Sequence, residues 1–383
     1  DGGDTFKKLQ RPASLDSSRV AIRYGDEGGL DKDGVMEIRR GVPDLDLGKS
    51  HYAQVRILVD GDHYLKGMAV YSDDLFPDGV DIMFNTNKPS GTPKMKVLKE
   101  AKADPDNPFG AAIKANGQST YIGSDGKEHL SPINKLKEEG DWDTMSRNVS
   151  SQFLSKQPKK LIENQLKLTI ADYQAQYDEI MHYNNPTVKK KLLNDFADTC
   201  EGTSMTLKAS AFPGQSTKVI LPINRIKETE AYCPTYENGT QLALIRYPHA
   251  GTFEIPIVTV NNKNVSGKRN LGQIQDAIGI NAKVAERLSG ADFDGDTVMV
   301  IPVSDKVPIK STRPLEQLKG FDPKTAYAVP EGNPNNVRLM KKEEKQREMG
   351  VISNLITDMT LRGASEEELA RAVKHSMVVI DAE

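Results

Sequence analysis

Ala291-Asp292-Phe293-Asp294-Gly295-Asp296-Thr297-Val298-Met299-Val300-Ile301 sets three carboxylates at alternate positions immediately before an apolar run. Gly295 frees the backbone to turn tightly between the last two acids. Carboxylates converging to within about 5 Å repel by roughly 3 kcal/mol per pair at an effective dielectric of 20. Such a set stays ionised only where a divalent cation neutralises it. Oxygen ligands of this hardness favour magnesium, manganese or calcium over zinc. Three carboxylates also leave positions on the ion open to a substrate phosphate.

Other readings of the stretch compete. An EF-hand loop needs Gly at its sixth position and Glu at its twelfth, whereas Gly295 is fourth and Val303 twelfth. A phosphatase nucleophile loop should follow a buried apolar strand. Here the preceding Val284-Ala285-Glu286-Arg287-Leu288-Ser289-Gly290 is polar, and Asp296 stands where that motif has Thr. A solvated acidic turn is the plain alternative.

Before the acidic stretch, Val219-Ile220-Leu221, Leu242-Ala243-Leu244-Ile245 and Ile255-Pro256-Ile257-Val258 are short apolar runs split by Gly, Pro and Asn turns, like Val298 to Ile301. Runs of this kind suit barrel strands buried on both sides, which places a β unit at 204–310. Upstream, Ile162, Leu166, Ile170, Tyr173, Tyr177 and Ile180 recur three or four apart up to Asn184-Asn185-Pro186. This is one apolar helix face, expected to be core, in a helical connector over 131–203. Before it, alternation at Val55, Ile57 and Val59, at Met68 and Val70, and at Val80, Ile82 and Phe84 predicts a first β unit at 50–130. The Gly-, Asp- and Ser-rich 1–49 reads as an N-terminal arm. Over 311–383, a Pro-rich link leads to a helix with Met349, Ile352, Ile356 and Met359 on one face, a stop at Gly363, and a Ser365/Glu368 capping box.

The 383 residues allow two or three domains. Two cysteines, Cys200 and Cys233, argue against a disulfide framework and fit a reducing interior. No apolar run is long enough for a membrane helix. The net charge of −3 is not that of an overtly basic nucleic-acid binder. A mean, however, says little about a cleft lined by a few cations. Zinc cysteine patterns, a Gly-rich phosphate loop and a Ser/His/Asp constellation are all lacking. The start at Asp1 and the stop at Glu383, within a helical pattern, are expected of a piece of a longer or processed chain.

Asp292-Phe293-Asp294-Gly295-Asp296 resembles the metal-binding motif of the two-barrel RNA polymerases, including single-chain phage enzymes and the eukaryotic RNA-dependent polymerases of RNA silencing. Ser289-Gly290-Ala291 is similar to the Ser-Gly-Ser before the aspartates in the silencing enzymes. Met349-Gly350-Val351-Ile352-Ser353-Asn354 resembles a helix following their catalytic barrel. Arg246-Tyr247-Pro248 resembles the upstream Arg-x-Pro segment. Asp60-Gly61-Asp62-His63-Tyr64-Leu65-Lys66-Gly67-Met68 is similar to the lysine-bearing segment of the partner barrel, with His63 where the bacterial pattern has a second lysine. The likeness covers, with gaps, Val55 to Ser90 and Leu242 to Ile301.

The resemblance implies an α+β chain of two double-psi β-barrels joined by the helical connector and followed by C-terminal helices. It implies a nucleotidyltransferase that adds nucleoside triphosphates to RNA by a two-metal mechanism. Asp292, Asp294 and Asp296 would hold Mg2+, and Lys66, Arg246 and His63 would bind substrate. A single chain points to a phage-type, DNA-directed enzyme in a bacterial host cytoplasm, on a DNA template rather than an RNA one, with no membrane partner. An RNA-directed enzyme of the silencing type and a non-catalytic nucleic-acid-binding virion protein are the alternatives.

Overall fold

The computed structural model describes residues 9–136, 148, 149, 151–206, 209–223, 225–247, 249–288, 291–321, 323–330, 332, 333, 338 and 340–381. Pro248, Ser289 and Gly290, on which part of the resemblance rests, lie outside the described residues, as do Asp1 and Glu383. The architecture is mixed α and β: a nine-stranded sheet, two long helices, a closed six-stranded barrel and C-terminal helices.

The sheet comprises β1 (Ser14–Leu15), β2 (Val20–Arg23), β3 (Val35–Arg39), β4 (Tyr52–Val59), β5 (His63–Ser72), β6 (Ile82–Asn85), β7 (Lys99–Glu100), β8 (Ile113–Ile122) and β9 (Glu128–Leu136). Its main path is β2-β6-β3-β5-β4-β9-β8. β1 pairs with β4 and β2 with β6, so the single segment Ser14–Arg23 touches strands on both sides of the sheet's middle. The sheet therefore curls about one core that includes Leu15, Val20, Met36, Ile38, Val55, Ile57, Leu65 and Ile82. Its hydrogen-bonded path stays open, where a barrel was expected. The unit also begins near Ser14 and runs to Leu136, beyond the expected 50–130. The supposed arm supplies β1 to β3, with Val35, Met36 and Ile38 fully buried. β3 lies between β5 and β6 and is buried on both faces, so it lacks the period-two signature.

Between the units, helices span Lys159–Met181 and Pro186–Thr206, with β10 (Asn148–Val149) and β11 (Ala209–Ser210) paired near their base. The stripe expected to be core is largely not: Ile170 is 67% and Tyr177 40% exposed. Its aromatics serve the neighbouring helix instead, with the Tyr173 and Tyr177 rings 5.9 and 6.2 Å from that of Phe196. A period of 3.6 reports that a face is apolar, not what covers it.

The barrel runs β12 (Ser216–Pro222), β16 (Ala277–Ile280), β13 (Glu230–Tyr232), β15 (Ile257–Val260), β14 (Gln241–Ile245), β17 (Thr297–Pro302) and back to β12. Ile220, Leu242, Leu244, Val258, Ile278, Ile280, Val298 and Val300 fill it. The run at Ile255 becomes a strand only from Ile257, because a 3-10 turn over Thr252–Glu254 and then Pro256 delay it. In the C-terminal helices Lys342–Leu361 and Glu366–Asp381, buried Ile352 and Ile356 pack with Leu369, Ala370 and Val373. Gly363 takes φ 75°, and Glu368 accepts from the Ser365 N–H at 2.9 Å, as the capping box requires.

Two apolar clusters weld sheet to barrel. Met68 of β5 joins Leu221, Ile223, Tyr232 and Leu271, and Val35 of β3 is buried in the barrel's own core cluster. These contacts fix where the polar face of β5 meets the turn before β17.

Candidate metal centre

The acidic turn is folded by its own carboxylates. Asp296 Oδ2 accepts the Asp292 N–H and Asp292 Oδ1 the Asp294 N–H, each at 3.1 Å. Phe293, 3% exposed, is buried in the barrel core and anchors the turn from beneath. Gly295, at φ 124°, makes the sharp reversal into β17. The three carboxylates offer oxygens within 4.8 Å of one another.

The N-terminal unit clasps this turn. Phe293 N–H donates to Asp33 O at 3.1 Å. Gly34, at φ 84°, lies so close that a Cβ there would stand 2.7 Å from Asp294 Cβ. Gly34 O in turn accepts from Met68 N–H at 3.0 Å and presses on Gly67, whose Cβ would fall 1.9 Å from it. Gln54 Nε2 donates to Asp294 O at 3.3 Å, against bare Gly295. The Gly of the Lys66-Gly67 pair is thus a close-approach residue.

Two cations from opposite sides meet the aspartates. Lys66 Nζ of β5 donates to Asp294 Oδ2 at 2.9 Å, and Arg246, following β14, pairs with Asp296 Oδ2 at 3.0 Å. Burial, then the charges of Asp294 and Asp296, push the Asp292 carboxyl up to about 8. Burial also acts against ionised Asp294, but the Lys66 hydrogen bond and the Lys66 and Arg246 charges outweigh it and hold that carboxyl below the usual range. At neutral pH the set therefore keeps a proton on Asp292, which a divalent ion would displace. An oxygen-only donor set with an excess of negative charge fits a hard divalent cation held by Asp292, Asp294 and Asp296.

In front of the aspartates opens a cleft of about 1040 Å³. Asp294, Asp296, Lys66 and Arg246 line it, while Asp292 lies behind. Its other charged lining groups are Lys49, Arg56, Lys114, Lys135, Lys218 and Asp276. Seven of the lining residues are Lys or Arg and three are Asp. The cleft is thus basic in a chain whose net charge is −3.

The expected site residues Asp292, Asp294, Asp296, Lys66 and Arg246 come together. His63 does not. It lies three residues from Lys66 on β5, so strand alternation turns it to the opposite face, where it pairs with Asp62 at 2.8 Å. Its ring is not among the groups lining the cleft.

Sequence reasoning passed over Gln54, Arg56, Lys218 and Gly34. Gln54 and Arg56 are the polar positions between the apolar ones of β4, and Arg56 is registered directly opposite Lys66. Arg56 stacks over Tyr64 at 5.3 Å. Lys218, 3% exposed in the apolar run of β12, reaches Thr235 Oγ1 at 3.0 Å and Gln275 O, and burial lowers its pKa. A lone lysine inside a barrel strand was a legible signal. Gly34 carried none, because its role exists only through a contact made far along the chain.

No family model and no curated protein matches the chain. Among solved structures it is similar to the RNA-dependent RNA polymerase QDE-1 from Thielavia terrestris, with a TM-score of 0.46 and 13% identity. The match covers 96% of this chain and 42% of that one, so the chain spans less than half that polymerase's length.

Proposed function

We propose that this chain is an RNA-polymerising nucleotidyltransferase, acting in a cleft between sheet and barrel on nucleoside triphosphates and a template strand. The observation that carries this is the convergence of Asp292, Asp294 and Asp296 with Lys66 at 2.9 Å and Arg246 at 3.0 Å, the two cations coming from opposite walls of one basic cleft. A calcium-binding loop needs no lysine delivered from a second unit. A solvated acidic turn would have no reason for the packed glycines that hold it in place.

Mg2+ bound by the three aspartates would supply Lewis acidity to the attacking 3′ hydroxyl and charge neutralisation to the phosphate. The chain's own groups do the rest. Lys66 and Arg246 stand at the cleft beside Asp294 and Asp296, and would stabilise the charge that builds on a bound phosphate's oxygens as the bond to pyrophosphate breaks. Arg246 presents a planar fork suited to two oxygens, and Lys66 a compact point charge. Arg56, across the ladder from Lys66, adds a second cation where the sequence pattern had pointed to His63. Gln54 and Gly34 hold Asp294 in place.

The template is proposed to be DNA, as in the single-chain phage enzymes, and the RNA-directed reading fits the same site. Primer extension and primer-independent synthesis with Mg2+ on matched DNA and RNA templates separate them. RNA synthesis that Asp294→Ala loses is the expected result, and the productive template names the class. Nucleic-acid binding without synthesis on either template would leave the non-catalytic alternative.

A further inference from the structure

The cleft is longer than the metal centre, and its charge is unevenly placed. Of its seven cations, Lys66 and Arg246 pair with Asp294 and Asp296, and Lys218 lies near Asp276 on the barrel side. The remaining four, Lys49, Arg56, Lys114 and Lys135, all belong to the N-terminal wall. They are arranged in order. β5, β4, β9 and β8 are consecutive in the sheet, and each contributes one cation to the cleft: Lys66, Arg56, Lys135 and Lys114.

Arg56 is opposite Lys66 on one face of the sheet. Lys135, opposite Val55, and Lys114, which follows Ile113 opposite Leu136, fall together on the other face, and all four still line the cleft. From β5 to β8 the cations span three interstrand steps of about 4.8 Å, about 14 Å in all. At 3.4 Å per nucleotide, a stacked strand passes about four phosphates over that distance.

We propose that Lys135 and Lys114, with Lys49 beside them, form a phosphodiester track that holds one nucleic-acid strand as it leaves the metal centre. The inference rests on the polymerase reading only for the strand's direction; the track itself requires only a single strand with a phosphodiester backbone. Such contacts are to phosphate rather than base, so they carry no sequence preference. RNA and DNA share the recognised chemistry.

The test measures binding of a fluorescent 12-nucleotide RNA, the matching DNA and their duplex, without nucleotides or divalent ions, over a salt series. Each single-strand phosphate neutralised contributes about 0.7 to the slope of log affinity against log salt, so Lys114→Ala with Lys135→Ala should flatten it by about 1.4. That corresponds to about 25-fold weaker binding at 0.1 M salt relative to 1 M. Lys135 also reaches Leu47 O at 3.3 Å, so Lys114→Glu, at an exposed position, gives a second variant that leaves that bond intact and should weaken single-strand binding on its own. Lys127→Ala, at the far turn of the same hairpin, should change nothing. An unaltered slope in the double variant, an equal loss in Lys127→Ala, or duplex bound in preference to both single strands would overturn the track. Since no nucleotide is added in this assay, the two ideas fail separately. Track-dependent binding without synthesis refutes the polymerase, and synthesis with an unaltered slope refutes the track.

Discussion

Replacing Gly34 with Ala should disable the metal centre from the opposite unit while leaving the fold standing. Two penalties meet at this position. A side chain at φ 84° costs about 1–2 kcal/mol, and the new Cβ would stand 2.7 Å from Asp294 Cβ. Carbon atoms rest at about 3.5–4.0 Å, so the two must part by about 1 Å. Asp294 sits on a turn anchored by Phe293, and Gly34 is held by Met68 N–H at 3.0 Å, so neither side yields freely. A displacement of about 1 Å at a reacting centre costs about 100-fold in rate. The expected outcome is a loss of that order in single-nucleotide addition, with weaker Mn2+ binding by electron paramagnetic resonance and a Tm lowered by only a few degrees. Gly79→Ala, also at positive φ (77°) but with nothing near its Cβ, should lower Tm without touching metal affinity. If Gly34→Ala bound Mn2+ and added nucleotides within twofold of the parent, the clasp would have no bearing on the site.

Asp294→Ala should abolish Mg2+-dependent synthesis with an unchanged circular dichroism spectrum; retained nucleotide addition would sink the polymerase assignment. Lys66→Ala should slow addition by about 100- to 1000-fold at saturating Mg2+, with Lys66→Arg recovering only part, and rates indistinguishable from the parent would return Lys66 to the solvent-exposed surface. The Asp292 carboxyl is raised from an ordinary 3.8 to about 8, so the folded chain binds the extra proton between those values. Its contribution to metal-free stability is therefore fully present below about 4 and lost as pH rises through about 8, while Mg2+ must displace that proton to bind. Thermal melts should show a larger Mg2+-induced rise in Tm at pH 8.5 than at pH 6, and Asp292→Asn should remove the difference. Equal rises at both pH values would contradict the proposed displacement.

What the sequence disclosed depended on how local the determining contacts are. The acidic turn, β4, β5 and the apolar barrel runs depend on neighbouring residues, and their pattern was readable. β3 was not, since Val35 to Ile38 is a short run sandwiched between strands that arrive later in the chain. The helix stripe from Ile162 to Ile180 was readable as a face, but its covering belongs to Pro186–Thr206 and to solvent. His63 was placed by analogy to a motif, and the two-residue period of β5 turns it away from the cleft. Lys66 and Arg246 gained their significance from the aspartates beside them, and Arg56 gained its own only once the β4–β5 register was known.

The lysine and the aspartate it meets are 228 residues apart in the chain, and Gln54 reaches Asp294 across 240. Closing a loop of that size is entropically slow, and a growing chain presents its N-terminal half first. The sheet bearing Lys66 can therefore fold around its own core well before Asp292 to Asp296 are made. The metal centre would be assembled last, by docking two finished surfaces through Met68 and Val35. Until then the carboxylates have Arg246 of their own barrel but lack Lys66 and the glycine clasp, so tight ion binding should report the completed union of the halves rather than the folding of either one. Titrating a divalent ion during refolding would time that union directly.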